Sequence, residues 1–152
     1  MPKNWYYRYM PVHYSINENG YRCPEWKDVN WSESIVVIGC SIVMGVGVDD
    51  LDTLPARLQE QLNVPVINLG TGGSSNQLML YNSLRLIENN IKPKAVVVVF
   101  SDPGRVHIFN DTRAQPIGPW VHERDLFRPQ EEKDFYNFWA GTSNNADIHG
   151  TI

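Results

Sequence analysis

At 152 residues, 42% of them apolar, with a formal net charge of −4 at pH 7, the chain has the size of one domain with a real core and is too short for two. Its acids and bases are interspersed with no basic run, which speaks against a nucleic-acid surface. No window approaches the roughly 18 consecutive apolar residues of a membrane span, and the start, Met1-Pro2-Lys3-Asn4-Trp5, lacks the apolar run of a signal peptide, so the expected compartment is the cytoplasm.

Residues 1–32 are expected to form an irregular aromatic arm on a domain spanning 33–152. Trp5, Tyr6, Tyr7, Tyr9, Tyr14, Tyr21, Trp26 and Trp31 crowd this stretch, and Pro2, Pro11 and Pro24 break any helix. Rings of this kind are expected to pack across an edge of a sheet. Asn17-Glu18-Asn19-Gly20 supplies a turn, because Asn-Gly tolerates positive φ. Cys23 and Cys40 have no C-x-x-C or His-rich spacing and read as free thiols, with no metal site and no cofactor expected.

Ile35-Val36-Val37-Ile38 is an unbroken β-branched run without alternation, as expected of a central parallel strand covered on both faces. It ends in Gly39-Cys40-Ser41, where the chain can turn and present a serine hydroxyl and its backbone N–H at the carboxyl edge of the sheet. The same sequence also fits an ordinary serine in a strand-to-loop turn. Leu54, Leu58 and Leu62 lie on one helical face, with Thr53 as N-cap and Pro55 in the first turn. Val64 to Leu69 reads as a second strand, followed by the glycine-rich Gly70-Thr71-Gly72-Gly73-Ser74-Ser75-Asn76. Leu80, Leu84, Ile87 and Ile91 then mark the apolar face of a second helix, stopped by Pro93, and Ala95 to Phe100 is a third strand.

Two successive β-α-β units predict an α/β protein, a flavodoxin-like three-layer α/β/α arrangement around a central parallel sheet with residues 35–39 in the middle. Clear blocks cover 34–105. Residues 106–152 are irregular, with a helix expected at 129–140 and another starting near 142–152. Three strands make a short sheet, incomplete toward the C-terminus, which leaves room for an oligomer or a second chain to complete it.

The blocks in this order resemble the SGNH (GDSL-like) hydrolase superfamily over roughly residues 15 to 105. The resemblance includes the lead-in Asn17-x-x-Gly20-x-Arg22, the block Val37-Ile38-Gly39-Cys40-Ser41 with Cys40 where an aspartate is usual, and Asn68-Leu69-Gly70-Thr71-Gly72-Gly73. It implies Ser41 as nucleophile and Gly73 as a backbone oxyanion donor, acting on a small-molecule ester such as an O-acetyl group on a sugar or lipid. In the third block a side-chain amide would be expected. The chain instead has Ser101-Asp102-Pro103-Gly104-Arg105, where a carboxylate cannot donate and proline has no N–H, leaving Ser101 or Arg105 as substitutes. The base would come from an Asp-x-x-His; here only Asp147-Ile148-His149 is available, with His149 the candidate, while His107 and His122 fall in loops without a motif.

Other readings fit less well. The glycines after the second strand fail Gly-x-Gly-x-x-Gly, no Lys-Ser or Lys-Thr follows a glycine loop, and Val43 stands where a Gly-x-Ser-x-Gly elbow needs glycine. The expectation is therefore a serine ester hydrolase, weak or inactive as this chain, with a non-catalytic binding or structural SGNH-like subunit as the alternative.

Overall fold

The computed structural model describes residues 9–110, 113–122 and 129–143. Three strands, β1 (Ile35–Gly39), β2 (Val66–Gly70) and β3 (Ala95–Val99), form a parallel sheet in the order β2-β1-β3. Ile35 is level with Val66 and Ala95, and Gly39 with Gly70 and Val99. The expected central strand is central, and both pairings are parallel. The second strand starts two residues later than the apolar run suggests, at Val66; Pro65, just before it, has no N–H to give a ladder, although its carbonyl accepts from Ile35 N–H at 2.9 Å.

Alternate residues of β1 serve two layers. Val36 and Ile38, with Ile67 and Leu69, face α3 (Asn76–Glu88) and bury Met79 and Leu86. Val37 and Val66 face α1 (Ser41–Met44) and α2 (Leu54–Leu62), burying Val43 against Leu58. This is the predicted α/β class, a parallel sheet flanked by helices. Thr53 caps α2 through its hydroxyl, which accepts from Ala56 N–H at 3.3 Å, as the sequence predicts.

Three expectations are corrected. The buried stripe of α3 is Leu78, Met79, Asn82 and Leu86, whereas Leu80, Leu84 and Ile87 are exposed. The helix carries apolar residues on two nearly opposite faces, and the sheet takes the one that begins beside the Ser75 cap. Tyr21, Trp26 and Trp31 pack on the Val36/Ile38 face beside α3, not along an edge; Tyr21 stacks on Trp26 at 5.8 Å, and Trp31 meets Trp26 edge-on at 5.7 Å. The irregular region after residue 105 contains an antiparallel hairpin, β4 (Val106–Asn110) with β5 (Arg113–Ile117). Pro116 hid it, since proline within a strand run argues against a strand, and a two-stranded ribbon has room for it on an edge.

A further helix, α4 (Gln130–Ser143), covers the predicted 129–140 segment, while the helix expected near 142–152 lies, from 144 on, outside the described residues. Its residues Phe135, Tyr136 and Trp139 pack with Trp120 around Val106 and Ile117. Both cysteines are free. Among the described residues, no helix is long and apolar enough to cross a membrane.

Candidate functional site

The three parallel strands end at one level, so the loops after Gly39, Gly70 and Val99 leave the sheet together. The first two are joined directly, as Thr71 N–H donates to Gly39 O at 3.0 Å. Ser41 follows β1 as the first residue of α1, with Cys40 as its cap, and is half-buried. Neither its N–H nor its hydroxyl has a hydrogen-bond partner among the described residues. Asn68 brackets this turn: its Oδ1 accepts from Gly70 N–H at 2.9 Å and its Nδ2 donates to Val43 O at 3.0 Å. A Cβ on Gly70 would stand 2.3 Å from Met44 N, so a glycine there is what lets α1 begin so close to β2.

Behind Ser41, the loop 44–50 is held by one buried side chain. Arg22 donates through Nη1 to Gly45 O (2.7 Å) and Met44 O (3.2 Å), through Nη2 to His13 O (2.5 Å) and Val48 O (2.9 Å), and through Nε to Asp50 at 2.5 Å. Every guanidinium N–H is thereby used, and the Tyr14 ring lies 4.0 Å from its Cζ. Burial alone would raise the Asp50 carboxyl; hydrogen bonds from Ser15 and Arg22 outweigh it and hold the group below its usual range.

The loop after β2 is equally constrained. Gly73 has φ +72°, and a Cβ there would meet Pro116 of β5 at 3.3 Å and Trp120 at 3.8 Å, so both conformation and space call for glycine. Ser74 and Ser75 are fully buried. Ser75 caps α3, accepting from Leu78 N–H at 3.4 Å, and its hydroxyl lies 2.7 Å from His107 Nδ1. Ser75 N–H also points at Nδ1, at 3.4 Å, so Nδ1 is the acceptor, Ser75 Oγ–H donates to it, and the ring is assigned as the Nε2–H tautomer. Burial lowers the His107 pKa below its ordinary 6.5. His107, expected in a loop without a role, thus sits in β4 against the loop that carries Gly73. Only its cross-strand pairing with Pro116 brings it there, and that pairing is invisible without the hairpin.

The third loop begins at Ser101. Asn76 Oδ1 accepts from Ser101 N–H (2.9 Å) and Oγ–H (3.4 Å), and Asn76 Nδ2 donates to Ser101 O (3.2 Å). Asp102 Oδ1 accepts from Gly104 N–H at 2.7 Å, closing a turn. Arg105 is half-buried, its guanidinium 5.3 Å from the Trp120 ring. Gly73 and Arg105 therefore share Trp120, while Ser101 is committed to Asn76. Sequence reading did not single out Asn76. His149 lies outside the described residues, and so does the side chain of His122.

No family model and no curated protein matches the chain. Among solved structures it is similar to AlinE4, an SGNH-hydrolase family esterase, with 26% identity and a TM-score of 0.42 over 49% of this chain and 43% of that one. A serine-to-alanine mutant of the same esterase aligns at 26% identity and a TM-score of 0.39, over 47% and 42%. The matched part thus spans less than half the length of those proteins.

Arg22→Lys keeps the charge but cannot reach four carbonyls and a carboxylate at once. It is expected to cost at least ~2 kcal/mol in urea unfolding, the scale of lost hydrogen bonds to a charged group; an unchanged midpoint would contradict the clamp. His107 adds a pH dependence. Its folded pKa lies below the unfolded 6.5, so the unfolded chain binds the proton more readily, and the stabilisation is complete above pH 6.5 and declines as pH falls toward the folded pKa. The advantage of the parent over His107→Gln in urea midpoint should therefore shrink between pH 7.5 and 5. A constant difference would exclude this titration.

Proposed function

We propose that the chain is an SGNH-type serine ester hydrolase acting on a small acyl ester, such as an O-acetyl group on a sugar or lipid. The observation that carries this reading is the setting of Ser41: a half-buried serine at the carboxyl end of the central strand, with its hydroxyl and N–H unengaged among the described residues. The glycine loop of β2 lies beside it, fastened to Gly39. In the reaction Ser41 Oγ attacks the acyl carbon while its proton passes to a histidine base. The carbonyl oxygen takes the negative charge, the alcohol leaves with a proton, and water releases the acyl group from the serine. The N–H groups of Ser41 and Gly73 are the proposed donors to that charge. The proposed base is His149, because His107 Nδ1 is occupied by Ser75.

A second reading, a non-catalytic binding or structural subunit, is favoured by one observation: Asp102, where an amide would serve, is an exposed carboxylate turned onto Gly104 N–H. Turnover of p-nitrophenyl acetate separates the two. A serine hydrolase should lose at least ~10³-fold of its turnover in Ser41→Ala, whereas equal rates for the parent and the variant would establish the non-catalytic reading.

A further inference from the structure

We propose that Arg105 and Trp120, at the open end of the β4–β5 hairpin, form a binding site for a small organic oxyanion, a carboxylate or a phosphate monoester. Val106 is level with Ile117, so Arg105 and Gly118 stand just beyond the last pair of the ladder, with Trp120 two residues after Gly118. The site uses neither Ser41 nor a histidine and stands apart from the ester-hydrolase reading.

The indole has a built seat. It packs on the buried Val106 and Ile117, and the benzene side of its ring takes the space that a side chain at position 118 would fill, a Cβ on Gly118 standing 2.5 Å from Cη2 and Cζ3. Glycine at 118 therefore leaves the ring its place, and the Gly73 loop borders it, a Cβ on Gly73 lying 3.8 Å from Cζ2. The Arg105 guanidinium covers the ring with Cζ 5.3 Å from the centroid, inside the roughly 6 Å reach of a cation–π contact.

What sets Arg105 apart is the lack of a counter-ion. Among the arginines whose side chains are described, Arg22, Arg57 and Arg85 each meet a carboxylate. Arg105 is half-buried, and its guanidinium has neither a carboxylate nor any other acceptor among the described residues. The nearest carboxylate along the chain, Asp102, is turned onto Gly104 N–H at 2.7 Å, while its carbonyl accepts from Arg105 N–H at 3.1 Å and fixes the backbone that carries the side chain. A cationic fork partly withdrawn from water gains most from a ligand that brings the missing charge, because paired guanidinium N–H groups match two oxygens of a carboxylate or phosphate at once. Stacking on the indole has already restricted the side chain, so less freedom is lost when the anion arrives. A neutral or apolar ligand would leave these donors unmet.

A proton–nitrogen NMR titration of the full chain at low ionic strength tests this. It follows the Arg105 Nε–H and Trp120 Nε1–H signals, assigned by their loss in Arg105→Met and Trp120→Phe. The probes are glycolate and methyl phosphate, with glycolamide as the neutral match to glycolate and sodium chloride at equal ionic strength. The expected result is a saturable shift of both signals with glycolate or methyl phosphate and only linear drift with glycolamide and chloride. In Arg105→Met the affinity read at Trp120 should fall at least ~10-fold, the scale of one lost charged hydrogen bond. Whichever anion saturates at the lower concentration identifies the group as carboxylate or phosphate. No saturation with either anion, equal shifts with glycolamide or chloride, or undiminished affinity in Arg105→Met overturns the assignment. Thermal melts by circular dichroism accompany each variant. If Arg105→Met melts early, Arg105→Gln is read in the same way, and loss of fold in both makes the pair structural and overturns the proposal.

Discussion

Because β1 pairs in parallel with β2 on one side and β3 on the other, with Gly39 level with Gly70 and Val99, three loops of unrelated sequence emerge at one height. A slip of one residue would turn Val36 and Ile38 toward α1 and α2 and present Val37 to α3. The register is held by burial on both faces, since Val36, Val37 and Ile38 are all fully buried. Chemistry at this edge therefore depends on the core. The sheet supplies the level, and the loops supply the groups.

What the loops add is polar fastening in place of apolar bulk. Asn17, Arg22, Asn68, Ser75 and His107 are buried, and each is hydrogen-bonded. A buried polar group left alone costs more than a made bond gains, so these contacts specify one loop arrangement more than they stabilise the fold. Asn17 Oδ1 accepts from Asn19 and Tyr21 N–H and shapes the turn that ends at Gly20. That turn aims Arg22 into the Ser41 loop. A lead-in of this type is thus mechanically tied to a serine 19 positions further along the chain.

The strands, their order and the capped α2 were legible in the sequence because each rests on local signals: unbroken β-branched runs, a threonine before a helix, a proline in its first turn. The buried face of α3 was not, since Leu80, Leu84 and Ile87 recur at helical spacing just as Leu78, Met79, Asn82 and Leu86 do, on the other side of the helix. Only the direction from which the loop enters decides between them. The hairpin was hidden because its strands are short and contain Pro116, and with it went His107. Ser41 was singled out from the small-residue turn that ends the first apolar run, and Gly73 only through the family resemblance. Asn76 was not singled out, because its bonds are to Ser101, a residue distant in sequence that the sheet brings alongside.

Two serines at this edge show how environment sorts residues of one type. Ser75 has a histidine 2.7 Å away, the pairing that nucleophilic catalysis requires, yet it is fully buried and its oxygen also caps α3. An ester carbonyl has no approach to it, and attack would strip the helix of its cap. Ser41 is the reverse case: accessible, unengaged, and without a histidine among the described residues. The Ser75–His107 pair is therefore better understood as the bolt that fixes the hairpin on the glycine loop, and through Pro116 it closes the space behind Gly73. With that space filled by Pro116 and Trp120, Gly73 is held at the edge of the sheet.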